Sequence, residues 1–252
     1  MRAWQANPWR TAFALIIGAI LIWMVLSIWP EWLKDILGRK KTFVNTLLNG
    51  LTLAGLYFLV ASGFTLIFGL MRNVNLAHGS MYLLGGYIGY EVAEASGNWL
   101  LGAAAAFMAL SVIGAALQVT VFRRMQGDDL RQTLVTIGIS IIAADLMMAA
   151  WGGTTYQFQP PESLFGAVQL PIISMIKSTG AVVYIKYPFY RLFMLMVAIV
   201  IGVALWLFIN RTRTGMMVRA GVDDRRMLAA TGVNVDLVFV FVFAIGAGLA
   251  GL

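Results

Sequence analysis

Long apolar runs are the feature of this sequence that most limits what it can fold into. They follow one another along the chain and cover residues Thr11–Trp29, Val44–Leu70, Met81–Tyr90, Trp99–Phe122, Thr133–Trp151, Phe189–Ile209 and Leu237–Leu252. A transmembrane α-helix needs about 20 apolar residues, and most of the runs are close to that length. They are also far longer than the ~10-residue strands of a membrane barrel. We therefore predict an all-α fold, a polytopic bundle of transmembrane helices forming one domain over residues 1–252.

Composition excludes the main alternatives to a membrane protein. Hydrophobic residues make up 60% of the 252 residues and charged residues 12%, against roughly 45–50% and 25% in soluble domains. A soluble fold of this size could not remove so much apolar surface from water. A soluble enzyme, a disordered protein and a fibrous protein are therefore excluded.

The basic residues indicate how the helices are oriented. The net charge is +7, but the Lys and Arg residues lie at the ends of apolar runs, so membrane topology explains them better than nucleic-acid binding. Arg123 and Arg124 lie between two runs, and the arginines of residues 211–226 lie between two later ones. The positive-inside rule places both loops in the cytoplasm and segment 152–188 outside. We expect that segment to be a partly ordered external loop or a re-entrant piece.

The first third of the chain is harder to orient. The run Thr11–Trp29 ends without a small-residue cleavage site, so we interpret it as an uncleaved first span. Simple alternation then places basic residues 39–41 outside, against the positive-inside rule. Either the other charges of the chain override the rule there, or one stretch between Val44 and Tyr90 does not cross the membrane fully. We favour the second interpretation, because Met81–Tyr90 is too short to span alone.

Small residues recur within the apolar runs. The glycines of Val44–Leu70 indicate either one long tilted helix or a broken one. Pairs at four-residue spacing, such as Gly85/Gly89, Gly102/Ala106 and Gly246/Ala250, let helix backbones approach closely in lipid. We interpret these pairs as tight packing within one bundle rather than as a dimerisation motif.

A polar segment at residues 72–80 is the first candidate site. The side chains that could line a substrate pathway there are those of Asn73, Asn75, His78 and Ser80. A broken helix at this point would aim dipoles and amides at a solute, whereas an ordinary cytoplasmic turn would use the same residues for backbone geometry. We predict that Ser80 caps a helix beginning at Met81. Because the chain contains one histidine and no cysteine, we expect no metal site and no catalytic residues.

Asp145 is the second candidate, and it also belongs to the possible substrate pathway. It is the one charged residue inside the run Thr133–Trp151. An ionisable group at such depth normally faces the bundle interior or a water path. Proton coupling and a hydrogen bond to a neighbouring helix are the two interpretations. We favour the hydrogen bond, because no second intramembrane carboxylate would continue a proton relay.

The basic segment Asn210–Asp236 is the third candidate. Read as a helix that starts near Asp223, it carries acidic residues in its first turn, and Gly232 suits its C-terminal cap. Its apolar face would carry Met227, Leu228 and Thr231. Such a helix can dock in a groove of a soluble partner. The alternative interpretation is a solvated loop whose basic residues only keep it on the cytoplasmic side of the membrane.

The order of several motifs resembles that of a known family. The similar segments are Asn49–Gly69, Asn75–Gly79, Thr136–Ser140, Arg211–Ala220 and Ala230–Asn234. Together they resemble the permeases of branched-chain amino acid ABC transporters, the H-type subunit. The resemblance implies the helical fold of vitamin B12-type importers. It also implies a transport subunit of the bacterial inner membrane for branched-chain or other amino acids, urea, short amides or aromatic acids.

The resemblance further implies partners. They are a second permease subunit, two cytoplasmic ATPase subunits and a periplasmic solute-binding protein, with membrane lipid around them. The sequence contains no Gly-Lys pair and hence no P-loop, so ATP would be bound by a partner and this chain would need no cofactor. The loop within Asn210–Asp236 looks like the family's cytoplasmic coupling segment. The candidate ATPase contacts in it are Arg219, Ala220, Asp224, Met227, Leu228 and Gly232.

The sequence also departs from the family pattern. The general coupling motif of ABC permeases opens Glu-Ala-Ala, whereas Arg226-Met227-Leu228 stands here. Family members usually continue beyond a segment like Gly246–Leu252, so we expect C-terminal spans to be lacking. A passive channel or an ion-coupled carrier for a small solute is the alternative function, motivated by the polar segment 72–80 and by Asp145.

Overall fold

The computed structural model describes residues 40–71, 74–125, 128–153, 156, 164–176 and 182–252, and residues 16, 18–20, 22 and 23. The predicted span Thr11–Trp29 therefore lies largely outside the described residues. The described helices are α1 (Lys40–Met71), α2 (His78–Ser96), α3 (Trp99–Thr120), a 3-10 helix (Phe122–Met125), α4 (Asp129–Trp151), α5 (Phe189–Arg211), α6 (Arg213–Asp223), α7 (Arg225–Ala230) and α8 (Val235–Ala250). Strands β1 (Ala167–Ile176) and β2 (Val182–Pro188) pair between α4 and α5. The predicted helical bundle is confirmed, and the hairpin is an addition to it.

The helix lengths suit a membrane. Among the described residues, four helices are long and apolar enough to cross one, namely α1, α3, α4 and α5. Helix α2 has 19 residues, about 28 Å of helix, which is close to the thickness of the hydrocarbon core. The apolar stretch Met81–Tyr90 is the middle of this helix, which continues into polar residues at both ends, and α2 is not among the four apolar spans, so whether it crosses stays a prediction. Helix α1 is continuous over 32 residues, so its glycines do not break it.

The chain divides into two compact units, of which the first consists of Met1–Leu53 and Glu162–Phe193. In its described part, an antiparallel hairpin packs against the first turns of α1. Val44 of α1 contacts Ile172 and Ile185 of the hairpin, and all three side chains are buried. The external segment was predicted as a loop or re-entrant piece. It contains a hairpin in which buried Ile185 and Tyr187 of β2 alternate with exposed residues, a run too short to stand out in the sequence.

The position of the hairpin also bears on topology. The hairpin follows α4 on the side that the positive-inside rule assigns to the outside. Since the first turns of α1 pack against it, Lys41 is expected on the same side as the hairpin. Strict alternation requires this arrangement. Our preference for a stretch that does not cross fully stays a prediction, and the packing of α1 on the hairpin argues against it.

The second unit, Ala54–Pro161 and Met194–Leu252, is a helix bundle in which α3 packs against both α2 and α8. Small residues set the distances between these helices. A Cβ on Gly102 would come within 2.5 Å of the Gly89 carbonyl oxygen, so the α2 and α3 backbones meet there. Gly63 of α1 and Gly246 of α8 approach each other in the same way. The prediction that small residues pack helices within one bundle is confirmed.

One ion pair joins the loops predicted to be cytoplasmic. Arg123 Nη2 lies 2.9 Å from Asp236 Oδ2, which connects the 3-10 helix after α3 to the first turn of α8. The two loops therefore meet at one end of the second unit, as the charge pattern predicted.

Candidate functional site

The start of α2 is built on an asparagine turn. Asn75 Oδ1 accepts a hydrogen bond from the Ala77 amide at 3.1 Å, and the helix then begins at His78. The prediction that Ser80 caps a helix beginning at Met81 was wrong, because the turn starts the helix three residues earlier. The Ser80 hydroxyl lies instead 2.7 Å from the Ser140 hydroxyl of α4.

Polar contacts tie the start of α2 to two other helices. His78 Nε2 lies 3.1 Å from the Val60 carbonyl oxygen of α1, and the Leu76 amide donates to Thr136 Oγ1 of α4 at 3.2 Å. We call Asn75, His78, Ser80, Thr136 and Ser140 the α2 N-terminal cluster. Thr136 and Ser140 were recognised only as part of a family motif, although their four-residue spacing places two hydroxyls on one helix face.

Two buried atoms of this cluster have no partner among the described residues. They are Asn75 Nδ2 and His78 Nδ1, in side chains that are 3% and 5% exposed. A carbonyl oxygen can only accept, so His78 Nε2 carries the proton and Nδ1 is a free acceptor. The cluster thus holds one unused donor and one unused acceptor, each of which costs about 1–3 kcal/mol while it stays unpaired.

The cluster is closed in this conformation. The edge of the His78 ring lies against Phe64, with ring centroids 5.6 Å apart. Asn75 and His78 are therefore shielded from solvent, so a polar solute could reach them only after the helices move. The substrate-pathway role of Asn75, His78 and Ser80 stays a prediction, and Asn73 lies outside the described residues.

Asp145 lies on the opposite side of α4 from the cluster. Thr136 is fully buried, and nine residues of helix place Asp145 about 180° around the axis from it. Asp145 is exposed and has no hydrogen-bond or ion-pair partner among the described residues. The predicted hydrogen bond to a neighbouring helix stays a prediction, since none is formed among the described residues. The physical reason is that α4 turns its hydroxyl-bearing face, with Thr136 and Ser140, to the bundle.

The segment Asn210–Asp236, in which we predicted one helix starting near Asp223, contains two: the predicted helix corresponds to α7, and α6 precedes it. Thr212 Oγ1 accepts from the Gly215 amide at 3.0 Å and caps α6, and Asp224 Oδ1 accepts from the Met227 amide at 3.0 Å and caps α7. Gly232 lies two residues beyond the end of α7 with φ +84°, in the left-handed region that favours glycine. This position agrees with the predicted C-terminal cap.

The apolar residues of α7 do not share one face. Leu228 is 6% exposed and packs with Val235, Val238 and Phe239 of α8, whereas Met227 is 69% exposed. The prediction that both lie on one docking face was wrong, because residues one position apart are separated by about 100° around a helix. Leu228 is an anchor of α7 in the core, and Met227 points away from the core.

The other candidate coupling residues lie at the surface. Arg219, Ala220, Asp224 and Gly232 are all exposed, and Arg219 Nη1 donates to Asn210 Oδ1 at 2.9 Å. The sequence interpretation missed Met216 of α6, which is 58% exposed. We call a set of six exposed residues in α6, α7 and the adjoining turns the docking surface; they are Met216, Arg219, Ala220, Asp224, Met227 and Gly232.

The docking surface is joined to the membrane helices through one apolar cluster. Val218 of α6, Leu228 of α7 and Leu66 of α1 are all buried in it, together with the α8 residues Val238 and Val242. Because packed side chains resist compression, a displacement of α7 would move α1 and α8 with it. The cluster therefore connects this surface to two helices of the bundle.

A cavity of about 480 Å³ lies beside this cluster, between α1, α5 and α6. Its walls are mostly apolar, with Phe58, Leu205 and Trp206 among them and Arg219 as its one charged residue. A polar solute would find few partners there. The cavity is therefore a poor candidate for the substrate pathway.

These features define a class of protein: a multi-pass membrane bundle whose short connecting helices α6 and α7 are packed into its core. The chain belongs to the family described as "Branched-chain amino acid transport system / permease component", whose model matches residues 46–252. The match includes the α2 N-terminal cluster, Asp145 and the docking surface, and it confirms the resemblance noted in the sequence. The protein is thus a permease component of a transport system.

Individual relatives agree with this assignment. The chain is 27% identical over 225 residues to the high-affinity branched-chain amino acid transport system permease protein LivH of Salmonella typhimurium and of Escherichia coli, with 83% of this chain and 68% of each relative covered. It is also 27% identical over 223 residues to BraD of Pseudomonas aeruginosa, a permease protein of the same description. No solved structure matches the chain.

Proposed function

We propose that this chain is a permease subunit of a bacterial inner-membrane ABC importer for branched-chain amino acids or related small solutes. It would pair with a second permease subunit, two cytoplasmic ATPase subunits that bind ATP, and a periplasmic solute-binding protein. The observation that carries the proposal is the family match over residues 46–252, which includes an exposed docking surface anchored in the bundle core.

The docking surface is suited to a soluble partner. Met216 and Met227 expose apolar side chains at 58% and 69%, and Arg219 and Asp224 add charged groups of both signs. Methionine is flexible and fills irregular gaps well, so it is frequent in binding surfaces. Apolar anchors surrounded by polar groups are also the usual composition of a protein interface. A groove on an ATPase subunit would receive α7 at this surface.

The packing supports a mechanical route from the ATPase to the membrane. Leu228 holds α7 against α8, and Val218 holds α6 in the same apolar cluster as Leu66 of α1. When the two ATPase subunits close on ATP, they would push α7. Helices α8 and α1 would move with α7, because their side chains pack in the same apolar cluster. Rocking of these helices would open the solute pathway to one side of the membrane and then to the other.

The test is co-purification followed by reconstitution. The complex should contain an ATPase whose hydrolysis increases when the solute-loaded binding protein is added. Met227→Glu should abolish uptake, because a carboxylate would be buried in the docking groove. Leu130→Glu is the matched control, since Leu130 is 73% exposed at the start of α4 but outside the docking surface. Solute uptake without ATP or any ATPase would refute the proposal and favour the passive channel or ion-coupled carrier.

A further inference from the structure

The face of α4 that carries Asp145 is left uncovered by the described part of the chain. Leu134, Ile141, Ile142 and Met148 accompany Asp145 on this face, and each of them is 58–62% exposed. The opposite face carries Thr136 and Ser140 and is occupied by contacts with α2 and the preceding turn. We call the exposed set the outer α4 face.

The outer α4 face is poorly suited to contact with lipid. Asp145 lies six residues before Trp151, which is roughly 9 Å along the helix axis. An aspartate side chain is too short to reach water from that depth, and ionisable groups within membrane spans almost always face protein or a water-filled cavity. Asp145 therefore needs a polar neighbour that the described residues do not provide.

The outer α4 face is also poorly suited to line a water-filled path. Such a path needs polar groups along its length, whereas the residues around Asp145 on this face are large and apolar. One polar group among apolar side chains is instead the pattern of helix packing within membranes, where a single hydrogen bond adds to van der Waals contact. Gly138 also lies on this side of α4, and a Cβ there would meet nothing within 4 Å, so a second backbone could approach closely.

We propose that the outer α4 face packs against a transmembrane helix of the second permease subunit, and that this helix presents a basic or amide side chain to Asp145. The identity of the partner rests on the proposed function, whereas the need for a polar protein neighbour rests on the position of Asp145. The interface would carry one buried charged contact, surrounded by Ile141, Ile142 and Met148.

The natural absence of cysteine allows a direct test in the assembled complex. Ile141→Cys labelled with a benzophenone maleimide should cross-link, on irradiation, to a second integral membrane chain. Ile199→Cys on α5, which is 58% exposed, is the matched control for labelling and background. Adducts from residue 141 with lipid, with this chain itself or with the ATPase would overturn the proposal. Equal yields of the same partner from both positions would overturn it too.

A second measurement uses Asp145 itself. Asp145→Leu should weaken association of the two permease subunits about three- to thirty-fold, the range for one interhelical hydrogen bond. Asp145→Asn, which keeps an acceptor, should lose less, and Met148→Leu is the control for a change of packing alone. If Asp145→Leu leaves association unchanged and raises the melting temperature of the subunit, the face meets lipid and the proposal fails.

The outcomes also separate this proposal from the proposed function. ATP-driven uptake by a complex in which residue 141 finds no membrane partner would refute the interface and leave the importer assignment intact. A membrane partner at residue 141 in a complex without any ATPase would refute the importer and support the interface.

Discussion

The hydroxyl oxygens of Ser80 and Ser140 lie 2.7 Å apart and join the first turn of α2 to the middle of α4. Both helices are apolar over most of their length, so this hydrogen bond lies where water competes weakly. Together with the hydrogen bond from the Leu76 amide to Thr136 Oγ1, it fixes the position of the first turn of α2 along the axis of α4.

Ser140→Ala should therefore destabilise the bundle. We expect the free energy of unfolding to fall by about 0.5–1.5 kcal/mol, because the hydroxyl contact is lost and the Ser80 hydroxyl keeps only the 3.3 Å bond to the Ser140 carbonyl oxygen. Thermal unfolding in detergent would measure the change. Ser96→Ala is the control, since the Ser96 hydroxyl bonds only within its own turn, to the Val92 and Asn98 carbonyl oxygens. Equal losses in both variants would contradict a tertiary role for the Ser140 hydroxyl.

Leu228→Ala and Met227→Ala should differ sharply in stability. Leu228 is buried against α8, so its truncation should cost about 2–5 kcal/mol. Met227 is 69% exposed, and its truncation should change stability by less than about 0.5 kcal/mol. Denaturation of the two purified variants gives the comparison. Similar losses would show that α7 is rotated relative to the arrangement described here.

Gly232→Ala should separate ATP hydrolysis from uptake. Its φ of +84° is strained for any residue with a Cβ, at a cost of about 1–2 kcal/mol, so the turn after α7 would change shape. We expect hydrolysis to continue while solute uptake in proteoliposomes falls. Gly97→Ala is the matched control, because Gly97 has φ +63° in the turn between α2 and α3, away from the docking surface. Loss of uptake in both variants would mean that strain alone, and not coupling, is responsible.

Gly102→Ala should destabilise the contact between α2 and α3. The new Cβ would come within 2.5 Å of the Gly89 carbonyl oxygen, and overpacking of this kind costs about 1–3 kcal/mol. Gly86→Ala, on the open side of α2, meets nothing within 4 Å and should be neutral or stabilising by up to about 1 kcal/mol. We therefore expect the melting temperature of Gly102→Ala to fall and that of Gly86→Ala to stay unchanged or rise.

Much of the molecule followed from local sequence patterns. The apolar runs predicted the membrane helices because a bilayer requires about 20 such residues whatever surrounds them. The glycine pairs predicted close packing, and Gly232 predicted the end of α7, because each depends on the local chain. The limits of α2 were missed, since Asn75 starts the helix through a turn that hydropathy does not register.

The sequence by itself determined that the chain forms membrane helices, where most of them run and which family it belongs to. Only the tertiary structure decided which side of each helix faces inward. Asp145 was expected to face the bundle and is not covered by the described residues, and Leu228 was expected to dock and lies in the core. The reason is that a membrane helix is apolar on every side, so its sequence has little periodicity to distinguish lipid from protein. The direction of a side chain is then decided by the helices that pack beside it.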